Sequence, residues 1–294
     1  MAKIVDYGAF AERLKAATNR WDLLREFQEE WGYAVKPGSS RWTRRPEAEH
    51  EKDVLGPSGD TDTEDAERAL PIPATLDEWW ELPFNSFTHN PRLYWAHLVY
   101  PPSAASEPDG DGHLGPIPDD SDLVAPDADH RVCVFMSEYQ ACNEWGYPAA
   151  DAHEPDPRVL VDVAVGEIED GLDGEWVLQA RSISEFFLQL AVQRLPRTLG
   201  WSTQIYEEDV VGDDDGAELV ARIEAELPAL GFEPWQELGQ EGIVRGGPDV
   251  LVHLAKGVHG GIFLSGRTPQ ALLDLAARLG LERTEDDLEP PEEY

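Results

Sequence analysis

Acidity is the property that most constrains this chain. Fifty-nine aspartate and glutamate side chains stand against 23 lysines and arginines, giving a formal charge of −36 and a pI near 4.3. Carboxylates are rarely buried unless paired. The fold therefore keeps this charge at its surface and draws its core from the 41% of residues that are hydrophobic, ten of them Trp. A length of 294 residues suits one large domain or two smaller ones. The apolar content is too high for wholesale disorder.

The same charge limits the partners. Binding to nucleic acid phosphates depends on basic surface, and anionic membranes repel an acidic protein. Direct nucleic-acid binding and membrane association are therefore not expected. One reading of the charge is solubility or adaptation to salt. The other is attraction to a basic protein such as a nuclease toxin, whose cationic groove an acidic surface could block. The stretch MAKIVDYGAFAERLK has no secretory apolar core, and no run of about 18 apolar residues offers a membrane span. Cys133 and Cys142 are the two cysteines. They form no C-x-x-C pair and frame no disulfide scaffold. Cys133 reads as a small buried hydrophobe, and a reducing cytoplasm is the expected location.

Periodicity sets the organisation. Phe10, Leu14, Ala17, Trp21, Leu24, Phe27 and Trp31 predict one long amphipathic helix over about 8–31 that docks on this protein's own body. A basic turn around Arg41, Arg44 and Arg45 completes an N-terminal segment 1–46. Residues 47–68 read as an acidic linker. In 69–200, Thr75 and Glu78 have capping-box spacing before a short helix. Leu93–Tyr100, the run 131–136, Glu138–Tyr147, Val159–Val163 and the surroundings of Trp176 read as strands. Residues 101–130 form an acidic loop, disordered or functional at that length. Ser182 and Glu185 again have capping-box spacing ahead of a Phe-rich helix that Pro196 follows. A small α-β-β-α unit spans 201–281: helix 216–230, strands 249–255 and 261–264, and a helix from Thr268 with Pro269 at its first position. Residues 282–294 read as a frayed acidic tail.

Four stretches carry a family resemblance. ERALPIPATLDEWWELP (67–83), VCVFMSEYQACNEWGY (132–147), DPRV (156–159) and EWVLQARSISEFFLQLAVQRL (175–195) follow one another in the order seen in the SUKH superfamily. The matching features are the short helix ending in aromatics, the pattern Glu138, Gln140, Trp145 and Gly146, and the Asp-Pro step with Arg158 in place of a second Pro. The match covers about residues 64–195. The resemblance implies an α+β domain with a mixed β-sheet flanked by helices. It also implies a non-catalytic protein-binding role. Bacterial members are mostly immunity proteins that neutralise toxins, and fungal relatives of the cell-wall-synthesis regulator type act as interaction hubs. The N-terminal helix, the 101–130 insertion and the C-terminal unit are departures from the family pattern.

Catalytic and metal signatures are absent from the sequence: H-E-x-x-H, G-x-S-x-G, the P-loop, a strand-borne G-x-G-x-x-G and the EF-hand register do not occur. The expectation is thus no enzyme, no cofactor and no metal. His253 and His259 read as surface or turn histidines. The partner-binding candidates are Trp79, Trp80, Glu138, Gln140, Trp145 and Asp156. Adjacent helix positions such as Trp79 and Trp80 rarely both point fully inward, so one of the pair is expected to be partly exposed and available as an interface anchor. The preferred function is stoichiometric neutralisation of a cognate toxin. The alternatives are a regulatory scaffold of the same fold and an unrecognised hydrolase.

Overall fold

A computed structural model describes residues 5–16, 20–34, 70–89, 92–94, 96–105, 115–138, 140, 142–165, 173–206, 214–257 and 260–292. The basic turn and the acidic linker 47–68 lie outside the described residues. The chain is α+β and divides into two compact units, each discontinuous in sequence. A terminal unit comprises Met1–Lys36, Asn90–Tyr94 and Phe187–Tyr294, and a central unit Pro37–His89 and Trp95–Phe186. The N-terminal segment thus shares a unit with the C-terminal residues.

The central unit holds helix α3 (Ala74–Glu81) and strands β1 (Ala96–Ala105), β2 (Val132–Glu138), β3 (Glu144–Pro148), β4 (Val159–Val165) and β5 (Asp173–Ala180). The strands form one sheet in chain order, and every pairing is antiparallel. The expected mixed sheet is therefore corrected to a meander: successive strands are joined without a helical crossover, so no parallel pair arises. Strand β2 is buried along its whole length, which explains why it reads as a continuous apolar run rather than an alternation. On one face Phe135 and Trp145 meet Phe186, with ring centroids 5.5 and 6.0 Å apart. Phe186 lies in the first turn of α4 (Ile183–Leu199). On the other face Val132, Val134, Leu160 and Trp176 cluster with Ile117 and Val124. At Gly146 an added Cβ would stand 2.6 Å from Val132 and 2.8 Å from the Cys133 carbonyl, so β2 and β3 pair here only through glycine.

Two caps differ from the sequence reading. Helix α3 starts at Ala74 after Pro73, and Thr75 instead donates its hydroxyl to the Pro155 carbonyl at 2.7 Å. At α4, Ser182 Oγ accepts the Glu185 N–H at 3.2 Å as the spacing predicts. The Glu185 carboxylate, however, turns to Arg181 at 3.0 Å.

The terminal unit holds α1 (Phe10–Lys15), α2 (Arg20–Glu30), the rest of α4, β6 (Trp201–Tyr206), α5 (Asp214–Glu226), β7 (Trp235–Glu237), β8 (Gln240–Gly247), β9 (Val250–Gly257), β10 (Gly261–Gly266) and α6 (Pro269–Arg278). The five strands form a second antiparallel sheet in the order β6-β10-β9-β8-β7. The two expected strands are its centre. β6, β7 and β8 escaped notice because Ser, Gln, Glu and Gly interrupt their apolar pattern. One face packs Val250, Val252, Ile262 and Leu264 on Ile223 of α5 and on Leu272 and Leu275 of α6. Thr268 caps α6 by accepting the Ala271 N–H at 3.1 Å, with Pro269 at the first position.

The expected long N-terminal helix is two. At Ala16 the backbone turns extended, ending α1. A second helix, α2, runs from Arg20. Both helices dock on their own unit. Phe10 sits 5.7 Å from Phe232 edge to face, and buried Glu30 accepts the Val5 N–H at 3.1 Å and the Tyr7 hydroxyl at 3.3 Å. Tyr7 packs so closely on Gly246 that a Cβ there would stand 2.7 Å from its ring. Pro196, expected beyond α4, lies inside its last turn. There the missing N–H costs one bond, and packing holds the turn: the Arg197 guanidinium stacks 4.1 Å over Phe263. The acidic tail is docked rather than frayed. Ser202 and Glu289 exchange backbone hydrogen bonds of 3.0 and 2.8 Å, and Leu288 is buried in the core.

Candidate functional site

The residues singled out from sequence do not gather into an exposed site. Trp79 and Trp145 are wholly buried and Trp80 is 7% exposed. The expected partly exposed anchor at 79–80 is corrected: both rings are buried, with Phe87 edge-on to Trp79 at 6.0 Å. Glu138 is buried and its carboxylate accepts the Gln140 N–H at 2.7 Å, a local turn contact. Gln140 itself is exposed. Asp156 caps α4, accepting the Ser184 N–H at 3.0 Å and its hydroxyl at 2.6 Å. The expected surface histidine His253 is 1% exposed, because its register on β9 turns it toward Gln193 of α4. His259 lies outside the described residues.

The structure instead builds a platform from the acidic insertion. Residues 101–105 extend β1, and 115–130 pack through Ile117 and Val124 on side chains of β2, β4 and β5 on one face of the central sheet. Two apolar pegs hold this loop: Ile117 is 2% and Val124 8% exposed, among Val132, Val134, Leu160 and Trp176. Burying each peg contributes about 1.5–3 kcal/mol. Polar clasps fix the ends and the middle. Trp176 Nε1 donates to the Gly115 carbonyl at 2.9 Å. Arg158 bridges the Leu123 carbonyl and the Asp151 carboxylate. Arg131 grips Asp129 through two parallel bonds of 3.0 and 2.7 Å, the strong bidentate form.

His130 closes the loop. Its Nδ1 lies 2.9 Å from the Ile117 carbonyl and its Nε2 3.2 Å from that of Ala125. Both partners are acceptors, so only the imidazolium, with two N–H donors, satisfies both. These carbonyls, chiefly that of Ile117, hold its pKa above the usual histidine value. Between the pegs and just beyond them, Asp119, Asp120, Asp122 and Asp127 are exposed, with one Asp119 oxygen 3.7 Å from His130 Nδ1. The loop therefore presents four carboxylates from a backbone that is already ordered. A partner would meet them without the cost of ordering a free segment. Sequence reasoning marked the loop but not these residues. The available signal was Ile117 and Val124, two apolar side chains with no other role in a Pro-, Asp- and Ser-rich stretch.

A second concavity lies in the terminal unit. Between α5 and strands β8–β10 a cleft of about 470 Å³ is floored by Val220, Ile243, Leu254 and Ile262 and edged by Glu224, Glu241 and Lys256. Ile243 remains 38% exposed there, unusual for a large apolar side chain in this protein.

Among the described residues no group of three or more His, Cys, Asp and Glu side chains is arranged to hold a metal ion, and no helix is long and apolar enough to cross a membrane. No family model matches the chain, and no curated protein or solved structure matches it either.

Proposed function

We propose that this chain is a non-catalytic protein-binding module for a cationic protein, and that its partner is a toxin domain which it neutralises by stoichiometric binding. One observation carries the reading: the exposed aspartates 119, 120, 122 and 127 stand on a loop that two buried pegs and the Trp176, Arg158 and His130 clasps hold in place. Ordering a solvated acidic loop opposes both chain entropy and charge repulsion, and a prepared surface for a basic partner gives that arrangement a use. The charge of −36 supports it by steering encounter, as does the resemblance of residues 64–195 to the SUKH superfamily. The test pairs the purified protein with the toxin encoded beside its gene, and compares wild type with a variant in which the four aspartates are Asn. The expected result is one-to-one binding and cell protection, with association slowed about tenfold or more by the four substitutions and less so at high salt. No binding, or an unchanged association rate in the variant, overturns the proposal.

A further inference from the structure

The α5/β8–β10 cleft of the terminal unit has a floor and a rim of different chemistry. Its floor is the continuation of a packed core. Ile262 is buried, Leu254 and Val220 are half-covered against the same cluster, and Ile243, the register partner of Leu254, is left open. At about 470 Å³ it is large enough for one or two apolar side chains. Its rim carries two carboxylates, Glu224 from α5 and Glu241 from β8, and one ammonium, Lys256 from β9, all three exposed. Each has a neighbouring cation of this chain: Arg245 binds one oxygen of Glu224 at 3.0 Å, and Lys256 stands opposite Glu241 in the strand register. A carboxylate offers about four lone-pair sites, so one bond from Arg245 leaves Glu224 able to accept more. The surrounding protein, at −36, disfavours a second copy of itself or any acidic ligand.

We infer that this cleft seats an apolar side chain from a basic protein segment, with flanking Lys or Arg side chains reaching Glu224 and Glu241. The inference rests on the cationic-partner reading but concerns a separate surface. An apolar residue between basic ones is the sequence type that satisfies floor and rim together. The aliphatic stems of the flanking residues would extend the apolar contact while their charges stay wet.

The test uses the full chain and three short synthetic peptides: one with Leu between Lys and Arg residues, the same with Leu replaced by Ser, and one with the basic residues replaced by Glu. Two variants alter the cleft at exposed positions. Ala217→Trp plugs it from α5, and Ile243→Ser removes the open apolar part of its floor. The wild type is expected to bind the Leu peptide about tenfold tighter than the Ser peptide, the scale set by one side chain in an apolar pocket, and to ignore the acidic one. Both variants are expected to erase that preference while keeping the weak Ser-peptide binding and native hydrogen exchange in β9 and β10. Equal binding of the Leu and Ser peptides, or a preference that survives both variants, overturns the inference. So does failure of every basic peptide to bind. The aspartate variants of the central loop judge the proposed function independently.

Discussion

Replacing His253 by Asn should change how the terminal unit responds to acid. His253 is 1% exposed on β9, with Nδ1 3.0 Å from the Gln193 side-chain oxygen. Arg197 covers Phe263, the cross-strand partner of His253. Arg194 lies nearby, paired with Glu237. Burial, reinforced by Arg197 and then Arg194, lowers the His253 pKa well below its ordinary value. The folded protein therefore binds fewer protons than the unfolded chain between its depressed pKa and the unfolded value of about 6.5. Stability is full above that unfolded value and falls as pH drops, by about 1.4 kcal/mol per pH unit, until the folded pKa is reached. Each unit of acidification inside that window is a sizeable share of a typical total stability of about 5–15 kcal/mol. Protonation of carboxylates changes both proteins alike and cancels in the difference. The assay is hydrogen exchange of β9 and β10 amides from neutral to mildly acid pH, in wild type and in His253→Asn. The wild type should open progressively more than the variant below about pH 6.5. Parallel curves would refute the reasoning.

His130 has the opposite sign. Its raised pKa means that its contribution to loop order is present below the unfolded value and is lost as pH rises through the folded one. Exchange in 115–130 should therefore speed up with pH beyond its intrinsic dependence, and His130→Gln should remove that excess. Ile117→Ala should cost about 2–5 kcal/mol locally, freeing the acidic loop, raising its exchange and weakening capture of a cationic partner. Asp156→Ala should destabilise the start of α4 by about 1–2 kcal/mol through loss of its cap, seen as faster exchange at Glu185 and Phe186. Gln140→Ala, at an exposed position, should stay within about 0.5 kcal/mol of wild type in a denaturant titration.

The sequence was legible wherever a local rule governs. The start of α6 follows from Thr268 and Pro269, and the cap of α4 from Ser182. The buried β2 follows from an unbroken apolar run. Legibility ended where long-range packing overrides local preference. Pro196 signals a stop, yet α4 runs on to Leu199, and Arg197 of this last turn stacks on Phe263. Trp79 and Trp80 suggest one partly exposed ring, yet both are buried. The acidic tail suggests fraying, yet Leu288 inserts into a core and Glu289 bonds to Ser202.

What the sequence by itself determined is the chemistry of the surface and the kinds of element. Charge counts and apolar periods are properties of composition and of neighbours a few positions apart. What only the tertiary structure decided is which carboxylates of the 101–130 stretch stand exposed on a loop anchored to the sheet. Asp119, Asp120, Asp122 and Asp127 are placed where they are because Ile117 and Val124 reach a sheet face built from residues 132–178. Contacts between segments so far apart in the chain depend on strand order and register, and no local pattern of residues encodes either.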